Sequence, residues 1–275
     1  MPEESYLSPL EISRAIRDIG EKKAAESLSE LFIFGILAGI YIAFGANVAT
    51  AVLSGGTLDP GLARFLAGSV FSVGLMLVLI PGSELFTGNI LMVLGFIYRK
   101  YSFWRVLRNW LIVYLGNLAG AMIIAYLTFK SGLLGMPGDL TPMGTTAFTI
   151  SAAKLDLSFV EGLTRGILCN MLVCLAVIMS IASRTVSGKI LGIYFPIMAF
   201  VASGFEHSVA NMYFLPVGLM TKSFNIASFL SIFRNLIPVT IGNVIGGLLI
   251  VLLHPKVESR IIRTLIGKGH NDKTS

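Results

Sequence analysis

Six long apolar stretches decide what this chain can fold into: about Leu28–Leu53, Leu62–Tyr98, Val106–Phe129, Leu157–Ala182, Ile190–Met220 and Phe229–Leu253. Each can cross a hydrocarbon core of roughly 30 Å as a helix of ~20 residues. Lipid offers backbone groups no water, so such segments must satisfy their own hydrogen bonds as helices. The chain is 55% hydrophobic and 13% charged, where a soluble domain carries roughly 25% charged residues. It is therefore read as an all-α integral membrane protein.

The second and fifth stretches are longer than one crossing needs, and each is interrupted. Gly82-Ser-Glu-Leu-Phe-Thr-Gly-Asn89 and Gly204-Phe-Glu-His-Ser-Val-Ala-Asn211 share Gly, Glu and Asn at the same offsets. Polar residues and glycines at bilayer depth are tolerated where backbone is buried in protein or lines a polar cavity, so the pair marks a permeation or substrate site. Gly82 and Gly204 permit helix breaks, and Glu84 and Glu206 are expected to cap the helices that resume beyond them.

The flanking spans repeat as well. Arg108-Asn-Trp-Leu-Ile-Val-Tyr-Leu-Gly-Asn-Leu-Ala-Gly120 aligns without gaps with Arg234-Asn-Leu-Ile-Pro-Val-Thr-Ile-Gly-Asn-Val-Ile-Gly246, and Gly35-Ile-Leu-Ala-Gly39 more weakly with Gly166-Ile-Leu-Cys-Asn170. Three crossings per copy make the repeats inverted, with equivalent elements facing each other near mid-bilayer. The expected fold is six transmembrane helices as inverted 3+3 repeats over 28–130 and 157–254, with spans 2 and 5 broken. Gly35/Gly39, Gly116/Gly120 and Gly242/Gly246 are spaced for close helix packing.

The net charge of +6 follows topology rather than marking a nucleic-acid surface. Arg14, Arg17, Lys22 and Lys23 precede span 1; Arg99, Lys100, Arg105 and Arg108 lie between spans 2 and 3; Arg184 and Lys189 lie between 4 and 5; Lys256, Arg260, Arg263, Lys268 and Lys273 follow span 6. Both termini are expected to be cytoplasmic. The start, Met1-Pro-Glu-Glu-Ser5, lacks a basic region leading into an apolar core, so no cleavable signal peptide is expected. Residues 1–27 read as an amphipathic cytoplasmic helix beginning in a Ser8–Glu11 capping box and lying on the membrane surface or against another subunit. Residues 28–254 form the channel domain, and 255–275 a basic cytoplasmic tail.

His207 is the one histidine inside an apolar span, and the cost of a titratable group at that depth favours a functional role over a hydrogen-bonded filler. Asn170 stands where the first repeat has Gly39. Thr87 offers a hydroxyl to a cavity. Lys154, just before span 4, is balanced between snorkelling to the interface and a site role. Cys169 and Cys174 read as apolar packing.

These motifs together, with Asn109–Asn117, Gly166–Val177, Ala202–Met212 and Asn235–Asn243 in one order along nearly the whole chain, resemble the formate/nitrite transporter family. The resemblance implies an aquaporin-like six-helix protomer with its own pore, a homopentamer, no cofactor and no metal. It implies transport of a small monovalent anion such as formate, nitrite or hydrosulfide, or of its acid together with a proton, across the inner membrane of a prokaryotic cell. It places His207 at the pore centre with Thr87, Asn170 and Lys154 nearby, and assigns Phe71, Leu75, Leu85 and Phe200 to apolar constrictions; residue pattern alone would make those four packing or lipid-facing side chains. Formate is the first choice of substrate. A short 221–227 connection and Gly88-Asn89 in the first octet depart from some relatives and weaken assignment to one substrate branch. The rival class is an intramembrane enzyme using His207, Ser208 and the glutamates, but no Gly-x-Ser-Gly turn, Asp-rich diphosphate motif or His-Glu-x-x-His pair is present.

Overall fold

The computed structural model describes residues 5–222 and 226–253. The basic tail expected over 255–275 and part of the 221–227 connection lie outside the described residues. Helix α1 spans Pro9–Ala25, α2 Leu28–Leu53 and α3 Pro60–Leu79. After the first break come α4 (Phe86–Asn89), a 3-10 turn (Ile90–Met92) and α5 (Val93–Ile97). Helix α6 (Phe103–Lys130) leads to a small hairpin of β1 (Gly135–Met136) and β2 (Asp139–Leu140), paired antiparallel. Then follow α7 (Pro142–Leu155), α8 (Phe159–Ala182), α9 (Val186–Ala202), α10 (Ser208–Met220), α11 (Ile226–Leu230) and α12 (Ile232–Leu252). Spans 2 and 5 are thus each two pieces, α3 with α4–α5 and α9 with α10, as the octets foretell.

Packing follows the repeat. Helix α2 lies against α6 and α3, as α8 lies against α12 and α9, while α3 meets α9 between the halves. The glycine pairs set the α2–α6 and α8–α12 contacts. A Cβ on Gly120 would stand 2.0 Å from the Ile36 carbonyl oxygen, and one on Gly246 2.1 Å from that of Ile167. Such backbone approach supplies van der Waals contact that lipid cannot replace. Exposed Phe32, Leu111, Tyr126, Phe195 and Ile237 clothe the outer helix faces.

Helix α1 makes contacts that its sequence does not announce. It starts in the Ser8–Glu11 capping box, but it packs under its own protomer, against α5, α6, α8 and the 3-10 turn, with Ile16, Gly20 and Ala24 buried. The contacts are specific: the Arg17 guanidinium lies 4.3 Å from the Tyr98 ring, and Arg105 and Arg108 of α6 donate to carbonyls at its C-terminus. Of the charged side chains on α1, Glu11, Arg17, Glu21 and Lys23 are partnered by Arg184, Tyr98, Lys100 and Glu84 of the channel.

Helix α7 is an element that the apolar pattern does not reveal. It packs on α10 in the place that α1 takes against α5 in the first half. The repeated unit therefore begins upstream of the spans. Its trace is Lys-x-x-x-Ser-x-x-Glu at 23–30 and again at 154–161, where Ser27 and Ser158 each open the next helix with a capping box.

Candidate functional site

Both breaks are built the same way. The chain turns at Gly82 (φ 92°) and Gly204 (φ 73°), a left-handed conformation open to glycine without cost. The residues beyond are extended, which exposes backbone groups that need partners. Asn117 of α6 supplies them in the first half: its Oδ1 accepts from the Phe86 amide at 3.0 Å, and its Nδ2 donates to the carbonyls of Gly35 (2.8 Å) and Glu84 (2.9 Å). Asn243 of α12 does the same in the second, accepting from the Ser208 amide (2.8 Å) and donating to Gly166 (2.8 Å) and Glu206 (3.0 Å).

The expected capping role of Glu84 and Glu206 is therefore overturned. Among the described residues no side chain caps α4, and the His207 ring caps α10 through Nδ1, which accepts from the Ala210 amide at 3.1 Å. The carboxylates instead pair with lysines, the stronger partner for a buried charge. Lys154 of α7 donates to both oxygens of Glu206 at 2.8 and 2.9 Å. Lys23 of α1 pairs with Glu84 and donates to Asn89 Oδ1 at 2.9 Å. Asn89 Nδ2 bridges Glu84 (2.6 Å) and Asn109 (2.8 Å), and Asn211 Nδ2 bridges Glu206 (2.6 Å) and Asn235 (2.7 Å). Two Lys–Glu–Asn clusters thus stand at opposite ends of the molecule. Lys154 is thus tied to Glu206 rather than extended to the interface; Lys23, counted in the sequence only as a topological charge, is its structural equivalent.

The octets meet between the clusters. Thr87 Oγ1 lies 2.9 Å from His207 Nε2, with both residues buried. Because Nδ1 accepts an amide hydrogen, the proton of a neutral ring belongs on Nε2, directed at Thr87. Asn170 Nδ2 donates to the carbonyls of Asn243 (2.6 Å) and Thr87 (3.2 Å), which fixes its amide orientation. Its Oδ1 and the Ser208 hydroxyl are buried without a hydrogen-bond partner among the described residues. Cys174 Sγ lies 3.7 Å from the Thr87 carbonyl, and Cys169 is buried.

Phe71, Leu75, Leu85 and Phe200 are all at most 3% exposed. Leu85 holds the position in the first octet that His207 holds in the second. Phe200 stacks on His207 at 5.9 Å and meets Phe71 edge-on at 5.7 Å. Phe214, unremarkable in the sequence, stacks on Phe71 at 6.5 Å and carries Lys154 Nζ 5.3 Å from its ring. An unbroken series of rings therefore links Lys154 to His207.

An inverted-repeat helical membrane protein with charged clusters at its ends and a buried polar centre has the build of a transport protein. Residues 10–256 match the formate/nitrite transporter family, to which the chain belongs. It is 43% identical to a probable formate transporter of Methanothermobacter thermautotrophicus, over 90% of this chain and 95% of that one. It is 34% identical to the formate channel FocA of Escherichia coli (strain K12), over 89% and 92% of the two chains. A solved pentameric formate channel with formate bound superposes with a TM-score of 0.71 at 34% identity, over 82% of this chain and 94% of that one. Members of this family are transporters and not enzymes, which removes the rival class.

Proposed function

We propose that the chain is a homopentameric, proton-linked channel for small monovalent anions, formate foremost, with one pore per protomer and both termini in the cytoplasm of a prokaryotic cell. The pentamer and the substrate are carried over from its relatives, and the orientation follows from the lysine and arginine asymmetry. On this reading Lys154 with Glu206, and Lys23 with Glu84, collect anions at the outer and inner mouths. Phe71, Leu75, Leu85 and Phe200 are the constrictions, and Thr87, His207 and Asn170 form the waypoint between them.

Energetics favour passage as the neutral acid. Taking a bare carboxylate into a low-dielectric slit costs on the order of tens of kcal/mol. Protonating an acid of pKa ~4 at neutral pH costs only about 4 kcal/mol. The single observation that carries this choice is the unpartnered, buried Asn170 Oδ1. It is an acceptor, which suits the hydroxyl of a carboxylic acid and repels a carboxylate. His207 reaches Thr87 as a donor, which leaves the Thr87 hydroxyl hydrogen for the carbonyl oxygen of the same acid. Protonating Nδ1 would break the cap on α10, so His207 orients the acid and the proton arrives with it.

Uptake of labelled formate into proteoliposomes, competed with nitrite and with hydrosulfide, tests the substrate. Formate is expected to enter fastest and nitrite to compete. Failure of all three to enter or compete would remove small monovalent anions as the cargo.

A further inference from the structure

The two mouths share a Lys–Glu–Asn cluster and differ in the carboxylate that follows the lysine. Aligned on Lys23 and Lys154, Lys23-Ala-Ala-Glu-Ser-Leu-Ser-Glu30 and Lys154-Leu-Asp-Leu-Ser-Phe-Val-Glu161 place Glu26 opposite Leu157. Asp156, opposite Ala25, is exposed, whereas Glu26 is half-buried and its Oε2 is sealed from solvent without a hydrogen-bond partner among the described residues. The inner Lys–Glu–Asn cluster thus has a second carboxylate beside it that its outer counterpart lacks.

Glu26 is held in place. Its carbonyl accepts from Arg108 at 2.8 Å, as the Ala24 carbonyl accepts from Arg108 and Arg105. It lines a cavity of about 440 Å³ together with Lys22, Lys23, Glu84, Asn89 and Lys189. The charged groups around it are Lys22 and Lys23 of α1, Glu30 of α2, Glu84 at the break, Arg105 and Arg108 of α6 and Lys189 of α9. Burial first, and then the Glu84 carboxylate, raise its carboxyl above the usual carboxylate range; Glu30 adds to this, against the opposing pull of Lys23 and Arg108.

We propose that Glu26 sets the anion affinity of the cytoplasmic mouth: as a carboxylate it opposes Lys23 in drawing an anion from the cytoplasm, and once protonated it no longer does. This rests on the reading that the mouth lysines collect anions. The sign is definite. Cytoplasmic acid removes a negative charge beside Lys23, so the inner mouth binds anions more tightly as the cytoplasm acidifies. The outer mouth, with Leu157 in the equivalent position, has no such response. An exporter of acid end-products gains from that asymmetry, because inner affinity rises when acid accumulates.

Formate uptake by inverted and right-side-out vesicles reads the two mouths separately. With the cytoplasmic face at about pH 7.5, Glu26→Gln is expected to lower the KM from that face roughly three- to fivefold, the effect of one unit charge at short range in a partly solvated site. The maximal rate and the KM from the outer face should not change. The difference should narrow as the cytoplasmic face is acidified, because the wild-type carboxyl, held above the usual carboxylate range by burial and by Glu84, then takes up a proton and loses its charge. Glu26→Leu, copying the outer mouth, should match Glu26→Gln, and Glu26→Asp should keep the wild-type profile. Lys23→Gln is the control. If it raises the cytoplasmic KM while Glu26→Gln and Glu26→Leu leave it at the wild-type value, the assignment of Glu26 is wrong. If Lys23→Gln also leaves it unchanged, the capture reading falls and the assignment with it.

Discussion

Glu206→Ala is expected to leave most of the chain unfolded or unassembled on extraction, the largest effect of any single substitution at the site. The carboxylate is 5% exposed and accepts from Lys154 and from Asn211, and removing it leaves a largely buried ammonium without its counter-charge and one of the two Asn211 amide hydrogens without an acceptor. Breaking such a pair from one side costs about 3–5 kcal/mol, a large part of the stability of an ordinary domain. Size-exclusion profiles and thermal unfolding in detergent read the loss directly. The same principle makes the double change Lys154→Met, Glu206→Met much milder, since no charge is left stranded. If Glu206→Ala unfolds at the wild-type temperature, the Lys154–Glu206–Asn211 cluster does not stabilise the fold.

His207→Phe is expected to do the reverse, sparing the fold and removing the activity. A phenyl ring fits the stack on Phe200, and the lost cap on the Ala210 amide costs about 0.5–2 kcal/mol. The permeating acid, however, meets a centre in which Thr87 has lost its partner. A buried polar group left unpaired costs about 1–3 kcal/mol, so formate flux should fall between several-fold and about 100-fold with assembly intact. Stopped-flow uptake on gel-filtered protein checks both halves of this expectation. Wild-type flux in a well-assembled His207→Phe channel would mean that the acid crosses without using the histidine.

Much of this architecture is legible in the sequence. The paired octets predict two breaks because a repeated polar interruption of an apolar span is stable in lipid only where protein or a cavity receives it, and three spans per copy make the repeat inverted. Thr87 and His207 can be brought together on that basis alone. Lys23 cannot, because lysines before a first span are the ordinary sign of orientation, and only its carboxylate partner 61 residues on distinguishes it. The caps differ from expectation for a related reason: local spacing offers Glu84 and Glu206 the amides just beyond them, while the asparagines that satisfy those amides, Asn117 and Asn243, come from α6 and α12. Helix α7 is hidden because Met143-Gly-Thr-Thr-Ala-Phe-Thr-Ile150 has no strong apolar period. Its lysine and the serine that follows repeat the α1–α2 junction, a signal visible once the repeat is extended upstream.

The most direct test of neutral-acid passage is charge and proton movement during formate influx into proteoliposomes carrying the wild-type protein. One proton should accompany each formate without net current, and at fixed total formate below saturation the rate should rise about tenfold for each unit by which external pH falls. A formate current that depends on membrane voltage and ignores external pH would contradict it.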